Sequence, residues 1–470
     1  MNSNQQLAAA QNNDDNPSRR KKSRIENSGL ILEDGSPNLF AGDLGVNIIS
    51  YLSAAELCKL DILSKQLQRL IKETWEKRTY ERFGMKNGKD GWRMGTSLLR
   101  EPVYIHFSRH PTYGDMYYAG GPHVTTNNSL VVVDTDDKRD NERLAPDGIG
   151  LYSATDLSYL GTRQGGGWET IVAGPAENHL FVTNINNMIS FSRGNITHRQ
   201  QYLNNNNEES PSIATETHVV VVTGNSVVLY RIVPNDSLVT LCQTASLQRE
   251  AQGNDDDEYY ESAISWGADE SEFIVYHSIR NIEDTDYQES KITVWKIDAE
   301  TNTISRTQTI EVETKLRAVV MGEDFIAGSC DLKKIHVWDR HTEQKTQEFL
   351  CDVEDQLNVD EIIWPLRMTC HGHMLVTTSH IGVALCIWNV KTGQLLKRYN
   401  HADEERNVDM LPDGFDANSM AYLKPLNTFI CASGYLDAWA FPTNQQQKDT
   451  AMMIRNREEG YVSDWLANDD

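Results

Sequence analysis

The fold is decided by residues 327–339, which run Ala-Gly-Ser-Cys-Asp-Leu-Lys-Lys-Ile-His-Val-Trp-Asp. Two short apolar runs flank a polar turn, and the second run ends at Trp338 and Asp339. Short β-branched and aromatic runs around a turn predict a β-hairpin rather than a helix. A hairpin of this length buries little surface by itself, so the pattern should recur along the chain.

The pattern does recur, with an aromatic residue closing one short apolar strand in each unit. The aromatic residues are Tyr152, Phe191, Tyr230, Trp295, Trp338, Trp388 and Trp439. Their separations are 39, 39, 65, 43, 50 and 51 residues, and the longest interval contains two acidic inserts, 252–261 and 281–290. A period near 40–50 residues with about four short strands per unit predicts a β-propeller of seven blades. We expect Val103–Phe107 to supply the outer strand that closes the ring, because an open seam would expose unpaired strand edges.

The sequence before the repeats has a helical pattern. Leu44, Ile48 and Leu52 recur at the spacing of one helix face. Ser53 and Glu56 have the spacing of a capping box, with Leu52 and Leu57 as a hydrophobic staple. We therefore predict an α+β multidomain chain in which a small three-helix domain precedes an all-β propeller.

Changes in composition divide the chain into five predicted segments. They are a polar tail at 1–36, a three-helix domain at 37–84, a linker at 85–102, the propeller at 103–445 and an acidic C-terminal tail at 446–470. The tail contains the basic run Arg19–Arg24, which has the composition of a nuclear import signal or of a simple solvated charge run.

Charge and cysteine usage exclude several classes of protein. The net charge is -24, and residues 101–470 carry 28 Lys/Arg against 56 Asp/Glu. Such an acidic surface repels phosphate backbones, so we expect no nucleic-acid partner. Seven Cys without CxxC spacing indicate reduced thiols in the nucleus or cytoplasm. No run approaches the length of a membrane span, so we expect no membrane partner.

Residues 39–83 resemble the F-box family. The matching positions are Leu39-Phe40, Asp43-Leu44, Ile48-Ile49-Ser50-Tyr51-Leu52, Glu56-Leu57, Leu63-Ser64-Lys65 and Trp75. Phe40 stands where the family usually has Pro, and Gly45 interrupts the first helix. The remainder, about Val103 to Trp439, resembles a WD-repeat propeller, although the Gly-His element that opens many such repeats is largely missing.

An F-box before such a propeller resembles the substrate receptors of Skp–cullin–F-box (SCF) ubiquitin ligases. The resemblance implies that the helices bind a Skp-type adaptor, and through it a cullin–RING ligase, while the propeller rim captures a protein for ubiquitination. It also implies a non-catalytic subunit that acts by proximity. The alternative is a WD-repeat scaffold whose helical unit does not engage the adaptor.

The resemblance assigns adaptor contacts to apolar residues of the helical domain, and the alternative is that they pack its own core. These residues are Leu39, Phe40, Leu44, Ile48, Ile49, Leu52, Leu57 and Leu60.

Acidic residues concentrate in the predicted loops of one propeller rim, where they would steer a basic protein substrate. We assign substrate binding to Asp255, Asp256, Asp257, Glu258, Asp355, Asp360, Glu361, Asp403, Glu404 and Glu405. The alternative is that these charges serve solubility. We expect no catalytic residue, cofactor or metal, since the spacing in Cys370-His371-Gly372-His373 matches no standard zinc site and predicts a polar turn.

Overall fold

A computed structural model describes the greater part of the chain from Leu52 onward. The described residues are 52–60, 65–107, 117–118, 122–124, 128–136, 148–164, 169–173, 180–184, 187–192, 195–201, 211–215, 217–223, 225–232, 239–247, 258–267, 271–281, 287–330, 334–350, 367–378, 384–400, 420–433 and 435–466. The chain divides into two compact units, Met1–Trp92 and Arg93–Asp470.

In the part of the chain that the structure describes, three helices precede the strands. They are α1 (Ala54–Leu60), α2 (Lys65–Phe83) and α3 (Gly88–Ser97). Residues 75–83 belong to α2, which runs without a break to Phe83. The segment 85–102 was predicted as a linker, but it contains α3. The helix forms there because Trp92 packs on the rings of Trp75 and Phe83, a tertiary contact that overrides the glycine-rich local sequence.

Twenty-nine strands follow in the described part of the second unit. The first ten are β1 (Val103–Phe107), β2 (Tyr117–Tyr118), β3 (His123–Val124), β4 (Leu130–Asp136), β5 (Gly148–Ser153), β6 (Tyr159–Gln164), β7 (Glu169–Ala173), β8 (Leu180–Asn184), β9 (Asn187–Ser192) and β10 (Asn195–Gln201). The next ten are β11 (Ser212–Ala214), β12 (His218–Thr223), β13 (Ser226–Ile232), β14 (Val239–Ser246), β15 (Glu258–Trp266), β16 (Glu272–Asn281), β17 (Tyr287–Asp298), β18 (Thr303–Glu311), β19 (Leu316–Met321) and β20 (Phe325–Cys330). The last nine are β21 (Lys334–Asp339), β22 (Lys345–Leu350), β23 (Arg367–His371), β24 (Met374–Thr378), β25 (Ala384–Asn389), β26 (Gln394–Asn400), β27 (Met420–Leu423), β28 (Thr428–Ser433) and β29 (Tyr435–Ala440).

These strands form antiparallel sheets in the arrangement of a β-propeller. Within the described residues, six sheets have four strands and one has five. Five of the four-stranded sheets are built from consecutive strands, β7 to β10, β11 to β14, β15 to β18, β19 to β22 and β23 to β26. The first strands β3, β7, β11, β15, β19, β23 and β27 lie beside one another in that order, and β27 returns to β3. The sheets therefore follow one another around a closed ring.

The remaining four-stranded sheet closes the ring with strands from both ends of the unit. Its order is β1-β29-β28-β27, and Val103 pairs with Ala440 at one end of the ladder. This confirms the expectation that Val103–Phe107 completes the last sheet. Because β1 pairs with β29, that side of β29 is not left as an open edge.

The recurring aromatic residue lies at the same place in each repeat, on the third strand. Just before it, the pairing with the fourth strand shifts by one residue at Tyr152, Tyr230, Trp295, Trp338 and Trp388. Such β-bulges bend a strand and increase its twist, as sheets radiating from a central axis require. The recurrence of the bulge supports the repeat inferred from the sequence.

Buried apolar side chains pack between neighbouring sheets. One core joins β11–β14 to β15–β18 through residues such as Val220, Phe273 and Trp295. The next joins β15–β18 to β19–β22, with Ile292 and Trp338 among its members. The stability of the propeller thus depends on contacts between sheets more than on any one sheet.

Residues 446–470 were predicted as an acidic tail, but most of them belong to helix α4 (Gln445–Leu466). Ala451 and Ile454 are buried, and Ile454 lies in the same core as Ile105 and Leu157. The helix covers the place where the last sheet meets β5 and β6, and burial of this apolar face explains why it folds. Among the described residues, no helix is long and apolar enough to cross a membrane.

Candidate partner-binding surfaces

The start of α1 is fixed by the capping box that the sequence predicts. The backbone N–H of Ser53 donates to Glu56 Oε2 at 2.7 Å, and the Glu56 N–H donates to Ser53 Oγ at 3.3 Å. The two residues thus satisfy backbone donors that a helix start leaves unpaired. The Arg78 guanidinium of α2 donates to the carbonyl of Leu52 at 2.6 Å, which ties the entry of α1 to α2.

A small apolar core lies between these helices. Leu57, Ile71 and Trp75 are buried in it, and Leu52, Leu70 and Trp92 pack against them. The Trp75 and Trp92 rings are 5.5 Å apart and tilted. Charged residues cover the exposed part of α2, where Lys72 pairs with Glu76 and Lys77 with Glu81.

The predicted adaptor contacts fall partly within the described residues. Five of them lie outside, namely Leu39, Phe40, Leu44, Ile48 and Ile49. Leu52 is half-buried against the core, and Leu60 is the last residue of α1. Leu57 is fully buried, so in this structure it occupies the helical unit's own core, the alternative kept open for these positions.

The described strands that flank the acidic inserts end on one edge of the propeller. Segments 248–257, 351–366 and 401–419 join the fourth strand of one sheet to the first strand of the next, and 282–286 joins β16 to β17. In an antiparallel four-stranded sheet, both kinds of connection emerge at the same edge. We call this edge the insert rim; its described residues include Glu258, Glu311 and Lys334.

Most of the predicted substrate-binding residues belong to those connections. Glu258 is described and begins β15. The other nine lie outside the described residues: Asp255, Asp256, Asp257, Asp355, Asp360, Glu361, Asp403, Glu404 and Glu405. Their assignment stays a prediction from the sequence.

Some carboxylates near the insert rim already have basic partners. Glu348 accepts from Lys334 Nζ at 2.7 Å and from Lys345 Nζ at 3.0 Å, and these bonds lower its pKa to about 2. Lys291 lies 3.7 Å from Glu311. Carboxylates paired in this way attract a basic partner less than unpaired ones do.

The opposite edge, which we call the hairpin rim, carries polar ties between neighbouring sheets. Arg340 forms an ion pair with Glu272 across two sheets. Asp324 lies 3.3 Å from His373 Nε2, and burial lowers the pKa of His373. These contacts hold sheets to one another, and the residues involved are engaged within the propeller.

A buried polar network that the sequence did not reveal holds residues 94–100 against the second unit's last two sheets. The Tyr399 hydroxyl lies 2.6 Å from the Leu98 carbonyl, and Asn427 Nδ2 donates to Ser97 Oγ at 3.1 Å. Tyr422 in turn donates to Asn427 Oδ1 at 2.9 Å. Tyr399 and Tyr422 are more than 290 residues from the segment they hold, so no local pattern could indicate these contacts.

Residues 370–373, considered for zinc in the sequence, form the hairpin between β23 and β24. Gly372 has φ 60°, the left-handed conformation that a tight turn needs. His371 packs edge-on against the rings of Tyr422 and Phe429. Within the described part of the chain, no group of three or more His, Cys, Asp or Glu has the geometry of a metal site.

Comparison with known proteins adds a resemblance in fold. No model of a known protein family matches the chain, and no curated protein matches it. Among solved structures, the chain is similar to the β-propeller domain of Cps50 (Swd1) from Myceliophteria thermophila. The match has 9% sequence identity and a TM-score of 0.46, and it covers 72% of this chain and 99% of that domain.

The sheet order, the closure by β1 and the recurring bulges define the class: the second unit is a β-propeller.

Proposed function

We propose that this protein is the substrate-recognition subunit of an SCF-type ubiquitin ligase, with a seven-bladed WD-repeat-like propeller. The N-terminal helical domain binds a Skp-type adaptor and through it a cullin–RING ligase, and the propeller's insert rim captures a protein for ubiquitination. The subunit performs no covalent chemistry of its own and acts in the nucleus or cytoplasm.

One observation carries the assignment of the helical domain. Two positions that match the F-box pattern, Leu57 of α1 and Trp75 of α2, are buried in one core, and Ser53 and Glu56 cap the start of α1. This arrangement supports a compact helical module at the place where the sequence resembles an F-box. A module of this size buries only part of its apolar surface, which leaves apolar residues for a partner.

The geometry of the propeller supports the capture role. Seven first strands follow one another around the ring, and the described strands that flank the long acidic segments of the sequence end at the insert rim. In this arrangement the propeller holds the substrate while the helical domain is attached to the ligase. The effective concentration of substrate lysines near the conjugating enzyme then rises without any new chemistry.

Co-purification from cells tests the proposal. The tagged full chain should recover the Skp adaptor and the cullin, and Leu44→Asp or Ile48→Asp should abolish that recovery. Lys77→Asp is the matched control, because the Lys77 side chain is 76% exposed and outside the apolar core. Full recovery by both aspartate variants would mean that the adaptor surface is wrongly assigned. Failure of the wild-type chain to recover the adaptor would favour the alternative, a propeller scaffold.

A further inference from the structure

The sheet β15–β18 is longer than its neighbours, and the extra length lies on the insert rim. Strand β17 has eight residues before Trp295, whereas β21 has four before Trp338 and β25 has four before Trp388. Because these third strands all begin at the insert rim, β17 extends about 13 Å further there. The ladder continues into β16 and β15, since Glu258 pairs with Asn281.

The two edges of this extension differ. On the side of β17, the Ser290 carbonyl accepts a hydrogen bond from the Val312 N–H at 2.9 Å. Beyond Ser290, the pairing of β17 with β16 shifts by one residue between Ile279 and Arg280, which is a β-bulge. A bulge disrupts the regular row of donors and acceptors that another strand would need. On the side of β15, the register with β16 is unbroken from Trp266 to Glu258, and among the described strands β15 pairs only with β16.

One hydrogen bond to β16 fixes which backbone groups of β15 face β16 and which point away from it. Gly267 donates to the Glu272 carbonyl at 2.9 Å, so Gly267 faces β16. Facing alternates along an antiparallel strand. The N–H and C=O groups of Tyr260 and Glu258 therefore point away from β16, at the part of β15 that lies in the extension.

We infer that the open edge of β15 at Glu258–Glu261 binds an extended Lys/Arg-rich segment of a partner protein as an added β-strand. Backbone pairing supplies the affinity in this mode of recognition, and charge selects the partner. Glu258 and Glu261 lie in the strand, and three further acidic residues precede them in the sequence. The inference rests on the proposed function in that it names the class of substrate segment the rim captures.

Fluorescence anisotropy with the full chain tests this mode. The probe is a labelled peptide of alternating Lys and Val, compared with the same peptide N-methylated at every residue and with a Glu/Val peptide. We expect the Lys/Val peptide to bind, with affinity that falls as salt is raised. The N-methylated peptide keeps the charge but lacks donors, so it should bind at least about tenfold more weakly. Equal binding by the methylated peptide, or no binding by the Lys/Val peptide, would overturn the inference.

Proline variants locate the edge. Tyr260→Pro removes an outward N–H and no bond to β16, so the propeller should keep its melting temperature while peptide binding falls about tenfold. Thr309→Pro is the matched control on the opposite edge of the same sheet. Val312 donates to the Ser290 carbonyl and so faces β17, and by alternation the backbone N–H of Thr309 faces outward. Unchanged peptide binding in Tyr260→Pro would overturn the assignment. The assignment would also be overturned if the wild-type chain formed a dimer and Tyr260→Pro abolished it, because the edge would then bind a second copy of this chain.

The outcome is separable from that of the proposed function. If the full chain binds the Lys/Val peptide but fails to recover the Skp adaptor, the inferred edge stands and the ligase role fails. If the full chain recovers the Skp adaptor but does not bind the Lys/Val peptide, the ligase role stands and the inferred edge fails.

Discussion

His106 Nδ1 lies 2.7 Å from Asp437 Oδ1, which joins the first strand of the propeller to its last. The same carboxylate oxygen accepts a hydrogen bond from the Tyr104 hydroxyl at 2.6 Å. Asp437 is fully buried, so its charge depends on these donors in place of water. The seam of the ring is therefore held by a polar contact as well as by the β1–β29 ladder.

Replacement of this buried carboxylate should weaken the closed ring. We expect Asp437→Ala to lower the free energy of unfolding by about 2 to 3 kcal/mol, because Tyr104 and His106 lose their shared acceptor. Urea denaturation followed by tryptophan fluorescence measures it. Glu311→Ala, which breaks an exposed pair with Lys291, should cost less than about 1 kcal/mol. Equal costs for the two variants would show that the seam does not depend on Asp437.

The C-terminal helix should stabilise the same seam. Ile454 is fully buried with Ile105 and Leu157, so Ile454→Ala should cost about 2 to 5 kcal/mol by leaving a cavity. Met453 is 51% exposed on the same helix, and Met453→Ala should change stability by less than about 0.5 kcal/mol. Thermal melting of both variants checks the difference. An Ile454→Ala protein as stable as the wild type would mean that α4 is not docked there.

The propeller needs residues that precede its first strand. A fragment that begins at Arg93 keeps the acceptors that Tyr399 and Asn427 use at Leu98 and Ser97, whereas one that begins at Val103 loses them. The fragment that begins at Val103 also lacks Leu98, which is fully buried in the whole chain. We expect the shorter fragment to melt at a lower temperature and to bind hydrophobic dye. Identical melting of the two fragments would contradict this boundary.

Acid should destabilise the propeller through His371. Burial lowers the pKa of His371 to about 4 from an ordinary 6.5, and Nε2 makes no hydrogen bond with the described residues. Between about pH 6.5 and 4, His371 is therefore protonated in the unfolded chain but neutral in the folded chain. The free energy of unfolding falls as the pH falls through that window. The loss is up to about 2 kcal/mol, because the residue as a whole is only half-buried.

His371→Phe should remove part of this dependence, because an aromatic ring can still pack on Tyr422 and Phe429. Urea denaturation at pH 7 and at pH 4.5 compares the variant with the wild type. His341→Gln is the control, since the His341 side chain is 72% exposed. The assignment fails if His371→Phe loses as much stability on acidification as the wild type does.

The sequence predicted the features that depend on neighbouring residues. The capping box at Ser53 and Glu56 and the strand ending at Trp338 follow from short spacings. The helix at Gly88–Ser97 and the helix at Gln445–Leu466 were missed. Both are stabilised by contacts with residues distant in sequence, such as Trp75 with Trp92 and Leu157 with Ile454.

For the candidate site too, the sequence predicted what local spacing determines and missed what depends on contacts between residues distant in sequence. Repeat spacing predicts that the acidic inserts share one rim, because strand alternation fixes where each connection emerges; the described strand ends on either side of them lie on that rim. The extension of β15 and its outward backbone groups required the pairing register, which the sequence does not contain. Leu57 belongs to the helical core because Ile71 and Trp75 pack on it, and the apolar stripe alone could not distinguish core from interface.

The central claim is that the helical domain binds a Skp-type adaptor, and titration calorimetry of the full chain with the purified adaptor tests it most directly. We predict one-to-one binding with a Kd near or below about 1 μM, lost in Leu44→Asp and retained in Lys77→Asp. An absence of heat at adaptor concentrations of about 100 μM, with a folded and monomeric chain, would contradict the account.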